Sequence, residues 1–313
     1  MAIVVAHAEA AATRKPNARR KLGVRWNTTF MSPPAPDVSQ DPHAFLVEST
    51  HEDSFATHFH RVDEFQVVVR GGGTMGKHTL VPGLVHFARA DTPYGPIGVA
   101  GDGLQFLTLR PCKDGSGAHF FPKGKEMLES ITDRDPWQVS EHAAFEKTSA
   151  VALRPFAKIR DERGLAAYSL ALAPGAKTTA PDPSATAGQY LLITDGSLKY
   201  QGKEHAALTI IFVKSTEQPF ELEAGAQGLN ALVLNFPQGR ARPVPDTVQP
   251  AREFRIWGCR LCGFVYDEAK GMPDEGVAPG TRWVDVPESW SCPDCSATKT
   301  EFDMQPVGLS PLA

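Results

Sequence analysis

The chain has 313 residues, a formal net charge of −4, 42% hydrophobic residues and 22% charged residues. That balance fits a soluble globular protein of two or three domains and excludes a disordered or collagen-like chain. No stretch approaches about 18 uninterrupted apolar residues, so no membrane span is expected, and the net acidity argues against a nucleic-acid or membrane partner. In chain order, residues 1–40 carry Ala, Pro and basic residues without periodicity. They read as a poorly ordered arm or a peripheral strand. The run Met1–Ala6 is too short for a secretory core, and the basic run Arg14–Lys21 follows it instead of preceding it. A cytoplasmic, reducing setting is expected. From 41 to 238 the chain shows strand-like runs such as Phe65–Val69, Leu104–Leu109 and Ala231–Leu234, punctuated by Gly and Pro. This is an all-β pattern. A helical stretch near Lys125–Ala144, in a connector over 125–150, separates two halves, 41–124 and 151–238. A Pro-rich linker covers 239–252, a small domain 253–306, and a tail 307–313.

The two halves repeat. Glu64 is followed by six residues and Gly71, and Gln189 by six residues and Gly196. Thr92-Pro93-Tyr94 matches Gln218-Pro219-Phe220, and Leu109-Arg110-Pro111 matches Asn235-Phe236-Pro237, at an offset of 125 to 126 residues. A repeat of this size means duplicated domains, not a solenoid.

The first half contains Thr57-His58-Phe59-His60-Arg61-Val62-Asp63-Glu64. Two histidines two apart on a strand share a face, and a carboxylate four residues on can join them at a metal. An ordinary polar turn is the competing explanation. The pattern His-x-His-x3-Glu-x6-Gly, closed by Gly71, resembles the first motif of the cupin family. That resemblance implies two tandem double-stranded β-helix barrels, with metal inside the first. It covers 45–110, and 165–236 by repetition. Where the family's second motif has a further histidine, this chain has Tyr94. The remaining set, His58, His60 and Glu64, is a 2-His-1-carboxylate set suited to Fe(II) and oxygen chemistry, with Mn, Ni, Cu or Zn as alternatives. Tyr94 is the candidate catalytic residue, as fourth ligand, acid/base group or donor to substrate. His86 is a second candidate ligand, although a lone strand histidine is more often structural.

Two details, His60-Arg61 leading into Glu64-Phe65 and the turn Pro93-Tyr94-Gly95-Pro96, resemble ring-cleaving dioxygenases of the homogentisate type. In that family a ligating histidine stands where this chain has Tyr94. Bacterial 3-hydroxyanthranilate dioxygenases give a looser precedent for pairing a cupin with a Cys-ligated iron. In the second half the equivalents of the ligands are Pro183, Ala185, Gln189 and Phe220, which cannot hold a metal. Cys112 stands alone and reads as a core or surface thiol.

The other four cysteines form two Cys-x-x-Cys pairs, Cys259/Cys262 and Cys292/Cys295. Two tight turns of this kind offer four sulfurs in a tetrahedron, for zinc or for one iron. The surrounding sequence resembles rubredoxin: Trp257-Gly258-Cys259-Arg260-Leu261-Cys262-Gly263-Phe264-Val265-Tyr266, the loop Gly276–Thr281, and Pro287-Glu288-Ser289-Trp290-Ser291-Cys292-Pro293-Asp294-Cys295. Lys299 and Phe302 also match. Trp257 replaces the usual tyrosine and Ser296 the usual glycine. Trp257, Tyr266, Trp283, Trp290 and Phe302 are the expected aromatic core. The resemblance implies one-electron transfer at an Fe(Cys)4 centre. Residues 253–305 hold ten Asp/Glu against five Lys/Arg, net −5. A reductase with a basic docking face is the matching partner.

Together these features predict a non-haem iron cupin oxidoreductase, an oxygenase using O2 on a small organic, aromatic substrate. The fused rubredoxin-like domain would supply electrons or keep the iron reduced. The alternative is a non-catalytic redox or ligand-binding protein whose rubredoxin-like domain serves an external partner. A homo-oligomer is compatible with either.

Overall fold

The computed structural model describes residues 2–20, 23–32, 41–50, 53–131, 140–144, 152–219, 221–239, 254–259, 264–287, 289–291, 299 and 304–309. The chain divides into two compact units, 1–241 and 242–313.

The first unit opens with β1 (Ile3–Val5), helix α1 (His7–Ala10), β2 (Lys15–Arg20) and β3 (Gly23–Met31). The first repeat adds β4 (His43–Ser49), β5 (Asp53–Phe55), β6 (His58–Phe59), β7 (Glu64–Met75), β8 (His78–Leu80), β9 (Leu84–Ala88) and β10 (Ile97–Arg110). β11 (His119–Phe120), α2 (Lys123–Ser130) and β12 (Ser140–Ala144) follow. The second repeat supplies β13 (Ala152–Arg160), β14 (Ala166–Leu172), β15 (Lys177–Thr179), β16 (Thr186–Tyr200), β17 (Lys203–Ala206), β18 (Ile210–Val213) and β19 (Glu221–Pro237).

Each repeat makes its own antiparallel sheet. The orders are β12-β9-β7-β10-β4-β3-β2 and β1-β18-β16-β19-β14-β13. Strand for strand they match, β9 with β18, β7 with β16, β10 with β19 and β4 with β14. The all-β, duplicated architecture expected from sequence is therefore the one observed. The repeated glycines explain why the register holds. Gly71 has φ +74°, and a Cβ there would lie 2.1 Å from the Gly103 carbonyl oxygen; Gly196 has φ +70° and would meet the Gly228 oxygen at 2.2 Å. Only glycine fits such a crossing.

Two expectations change. The N-terminal arm is built into both sheets, with β1 on β18 and β3 on β4. Among the described connector residues Lys123–Ser130 are helical, while Ser140–Ala144 pairs with β9, from Ser140↔Ala88 to Ala144↔Leu84. Pro136 removes a donor that one continuous helix would need. The free edge of β9 offers the later residues backbone partners instead.

Alternation along the central strands sorts the side chains. Phe65 and Val67 on β7, Val85 and Phe87 on β9, and Leu107 and Leu109 on β10 share one core with Tyr190, Leu192, Ile210, Phe212, Leu232, Leu234 and Phe236 of the second repeat. Burying each such side chain contributes about 1.5–3 kcal/mol, so the repeats are held together mainly by this layer. The Tyr190 hydroxyl crosses it and donates to the Arg110 carbonyl oxygen at 2.8 Å. The residues in between point into each repeat's own interior.

The second unit has a three-stranded sheet, β21 (Val265–Asp267), β20 (Arg255–Cys259) and β22 (Met304–Leu309), in that order. Its core is Tyr266, Val277, Val286 and Trp290, with Trp257, Phe264, Met272 and Trp283 packed against it. The linker beyond Gly239, Phe220, Ser296, Phe302, Cys262, Cys292 and Cys295 lie outside the described residues, as does the Cys259 side chain. Among the described residues no helix is long and apolar enough to cross a membrane.

Candidate functional site

The interiors of the two repeats differ in kind. At an offset of 125, Gln66 faces Leu191, His86 faces Ile211 and Thr108 faces Val233 in the comparison of repeats. Leu191, Ile211 and Val233 belong to an apolar cluster that fills the second interior. Gln66, His86 and Thr108 are buried in the first. Buried polar groups cost folding energy unless they are paired. Their concentration in one repeat of a duplicated fold marks the first interior as the candidate site.

Five buried side chains there form one hydrogen-bonded line. Arg110 Nε and Nη2 donate to Glu64 Oε2 at 2.9 and 2.8 Å. The Tyr94 hydroxyl donates to Glu64 Oε1. Gln66 Nε2 donates to the Tyr94 oxygen at 3.2 Å, and His86 Nδ1–H donates to Gln66 Oε1 at 3.0 Å. Burial alone would raise the Glu64 carboxyl's pKa. The charges of His60 and Arg110 and the hydrogen bonds from Tyr94 and Arg110 outweigh it and hold the value down at about 2. Burial, then the adjacent Glu64 charge, pushes the Tyr94 phenol well above its ordinary range.

His58 and His60 sit beside this line. Tyr94 pairs directly with His58 through the backbone, His58 N–H to the Tyr94 oxygen at 3.2 Å and Tyr94 N–H to the His58 oxygen at 3.0 Å. Their rings stand 4.6 Å apart. His58 Nδ1–H donates to the Ala56 carbonyl at 2.8 Å. His60 Nδ1–H donates to Asp114 Oδ2 at 2.8 Å. Burial, more than any nearby charge, lowers the His58 pKa, which keeps that ring neutral. With both Nδ1 atoms engaged, Nε2 is the nitrogen each ring has left to present to a ligand. The two ring centroids are 5.5 Å apart at an interplanar angle of 86°. Two imidazoles sharing one ion through Nε2 at about 2.1 Å stand about 5 Å apart, so the ring spacing is of the size one ion needs.

Glu64 does not fit that role. Both its oxygens are engaged, one by Arg110 and one by Tyr94. Among the described residues no group of three or more His, Cys, Asp or Glu is placed to hold an ion. Of the expected set of His58, His60 and Glu64, the two histidine rings lie together, while Glu64 is held by Arg110 and Tyr94. Tyr94 is also corrected: its proton is committed to Glu64, which leaves it neither an open donor nor a group that titrates near neutrality. His86 is tied to Gln66 instead of joining the pair. Gln66, Arg110 and Asp114 were not singled out from sequence. The polar-for-apolar exchange between repeats is the signal that marks Gln66.

A narrow cavity lined by Gln66, His86, Met75, Leu80, Ile97 and Phe106 offers about 10 Å3 to the centre of a water-sized molecule. That is room for roughly one water. At His58, β11 pairs with β6, which places Phe120 against His58. The Phe120 ring lies 4.9 Å from the His58 ring and is 46% exposed.

In the second unit the aromatic rings pack in series, Tyr266 to Trp283 at 5.5 Å and Trp283 to Trp290 at 5.3 Å. Glu268, buried, accepts from Arg255 N–H at 2.9 Å, Trp257 Nε1–H at 2.8 Å and Trp283 N–H at 2.9 Å. Burial opposes its ionisation, but these donors hold its pKa below the ordinary value.

A family model described as rubredoxin matches residues 256–302. Rubredoxin-2 of Rhodococcus erythropolis is 52% identical over 59 residues, 19% of this chain and 94% of its own length. Rubredoxin-1 of Alcanivorax borkumensis is 60% identical over 48 residues, 15% of this chain and 89% of its own. The bacterial pirin YhhW of Escherichia coli in complex with nickel(II) overlaps 76% of this chain and 99% of its own, with a TM-score of 0.49 and 13% identity. Nothing of the site's chemistry is carried over from it.

Proposed function

The chain belongs to the rubredoxin family through its C-terminal unit, and on that premise we propose that it is a redox cupin whose first barrel uses electrons from its own rubredoxin domain. The observation that carries this reading is the pair His58 and His60. Both imidazoles are locked through Nδ1 with Nε2 left to present to a ligand, inside the one repeat whose interior is polar. His58 and His60 would offer an iron two imidazoles there, one protein ligand fewer than a 2-His-1-carboxylate site, and Fe(II) with open positions would supply binding and activation of O2. His58 is kept neutral by burial and fixed by the Ala56 carbonyl, while His60 is aimed by Asp114. Tyr94 packs on His58 and anchors Glu64, which with Arg110 braces the barrel behind the pair.

The Gln66–His86 cavity is too small for an organic substrate, so the reading puts substrate on the Phe120 side. The half-exposed Phe120 ring offers an apolar face to a small planar molecule. The tetrathiolate iron of the rubredoxin domain carries one electron at a time and has no open position for substrate. Ring cleavage by O2 consumes no external electrons, so the fused domain favours a monooxygenase or a system that re-reduces its iron.

A second reading, a redox or ligand-binding protein without turnover, gains from the capture of Glu64 by Arg110. Iron analysis separates the oxygenase reading from a first barrel that holds no metal. The oxygenase reading expects two irons per chain, one lost in Cys259→Ser and the other in His58→Ala/His60→Ala. A single iron, lost entirely with Cys259, refutes it.

A further inference from the structure

We propose that Asp114, not Glu64, is the carboxylate that serves the histidine pair, holding His60 for metal, while Glu64 and Arg110 form a structural clamp. This rests on the metal reading of His58 and His60.

The repeat separates the two carboxylates. In the second half Gln189 lies opposite Asn235 in the strand register. Gln189 Nε2 donates to Asn235 Oδ1 at 3.0 Å. Glu64 and Arg110 stand 125 residues earlier on the matching strands. The same cross-strand link therefore exists in both barrels, charged in one and neutral in the other. It persists where the histidines are replaced by Pro183 and Ala185, so it does not depend on the site. A bidentate guanidinium also neutralises the charge that a ligand carboxylate would bring to a cation.

Asp114 behaves in the opposite way. Its Oδ2 accepts from His60 Nδ1–H at 2.8 Å and from Arg61 N–H at 3.3 Å. Its Oδ1 accepts from Ser116 N–H at 3.0 Å and Ser116 Oγ–H at 2.7 Å. Its side chain is 1% exposed. These donors fix the carboxylate with one oxygen aimed at the ring nitrogen that faces away from the metal position. At the corresponding step of the second repeat the chain has Gly239. Within this one chain, the Asp114 carboxylate goes with the histidines and the clamp does not. A carboxylate behind a ligating imidazole fixes its tautomer and strengthens it as a donor.

The test is anaerobic equilibrium dialysis of the full chain against Fe(II), with the cysteine centre already loaded. Wild type takes up one further Fe(II), and His58→Ala/His60→Ala takes up none. Glu64→Gln with Arg110→Asn, which reproduces the amide pair of the second repeat, keeps Kd within about threefold. Asp114→Ala weakens Kd by about 10–100-fold. Asp114→Asn, which retains an acceptor for His60, recovers part of that loss at the same melting temperature as Asp114→Ala. A folded clamp variant that loses Fe(II) as completely as the histidine variant overturns the proposal. So does wild-type affinity in Asp114→Ala, which decides the matter alone if the clamp variant does not fold. A wild-type chain that takes up no further Fe(II) defeats the metal reading itself, and this proposal with it.

Discussion

Replacing Arg110 by Leu probes the clamp directly. Glu64 is 1% exposed, and Arg110 supplies two of its hydrogen bonds and its only neutralising ion pair among the described residues. Removing one partner of a buried pair costs about 3–5 kcal/mol. On a unit of this size each kcal/mol moves the melting temperature by about 2–4 °C, so a fall of about 10 °C is expected. The pH dependence gives a second signature. In wild type the Glu64 pKa lies at about 2 against an ordinary 4.5, so its stabilisation is lost as pH falls through that window. Without Arg110 the His60 charge and the Tyr94 hydrogen bond still oppose burial, so the folded pKa moves up toward its ordinary value and the loss of stability on acidification becomes shallower. Adding Glu64→Gln to Arg110→Asn restores the neutral pairing of Gln189 and Asn235 and recovers most of the loss. Urea denaturation followed by circular dichroism, with the rubredoxin absorbance tracked separately, measures Arg110→Leu and the four corners made by Glu64→Gln, Arg110→Asn, their double variant and wild type. A cost below about 1 kcal/mol for Arg110→Leu, or no recovery in the double variant, refutes the clamp.

Two further outcomes follow from other buried groups. Burial first, then the charges of Arg110 and Lys113, lowers the His43 pKa from 6.5 to about 4. The unfolded chain then binds more protons between these values, so stability rises with pH from about 4 to 6.5, and His43→Phe flattens that slope in urea titrations. Glu268→Ala strands three donors, at a cost of about 1–3 kcal/mol each where they stay buried. Faster thermal bleaching of the rubredoxin absorbance in that variant, with the cupin melting unchanged, is the expected result.

Much of the architecture was legible because duplication writes it twice. Gly71 and Gly196 mark crossings that admit no side chain, and Glu64 and Gln189 open equivalent strands. The cysteine knuckles and their aromatic neighbours identify the second unit without any coordinates. What stayed hidden depends on side-chain partners far apart in sequence. Matching Leu109-Arg110-Pro111 to Asn235-Phe236-Pro237 set Asn235 against Leu109, whereas the strand ladder sets it against Arg110. That single-residue slip concealed the clamp and left Glu64 free to look like a ligand. Asp114 was invisible for a related reason: it lies 54 residues from His60, in a loop that only the tertiary fold brings behind the ring. The N-terminal strands lack the apolar alternation that would announce them, since β3 buries Arg25 and Thr28 as well as Phe30 and Met31.

The central claim is electron flow from the rubredoxin domain to the first barrel, and single-turnover absorbance spectroscopy tests it most directly. The Fe(Cys)4 centre of the full, iron-loaded chain is reduced, mixed with O2, and its reoxidation followed. Wild type should reoxidise faster than His58→Ala/His60→Ala. Equal rates in the two proteins would contradict the account.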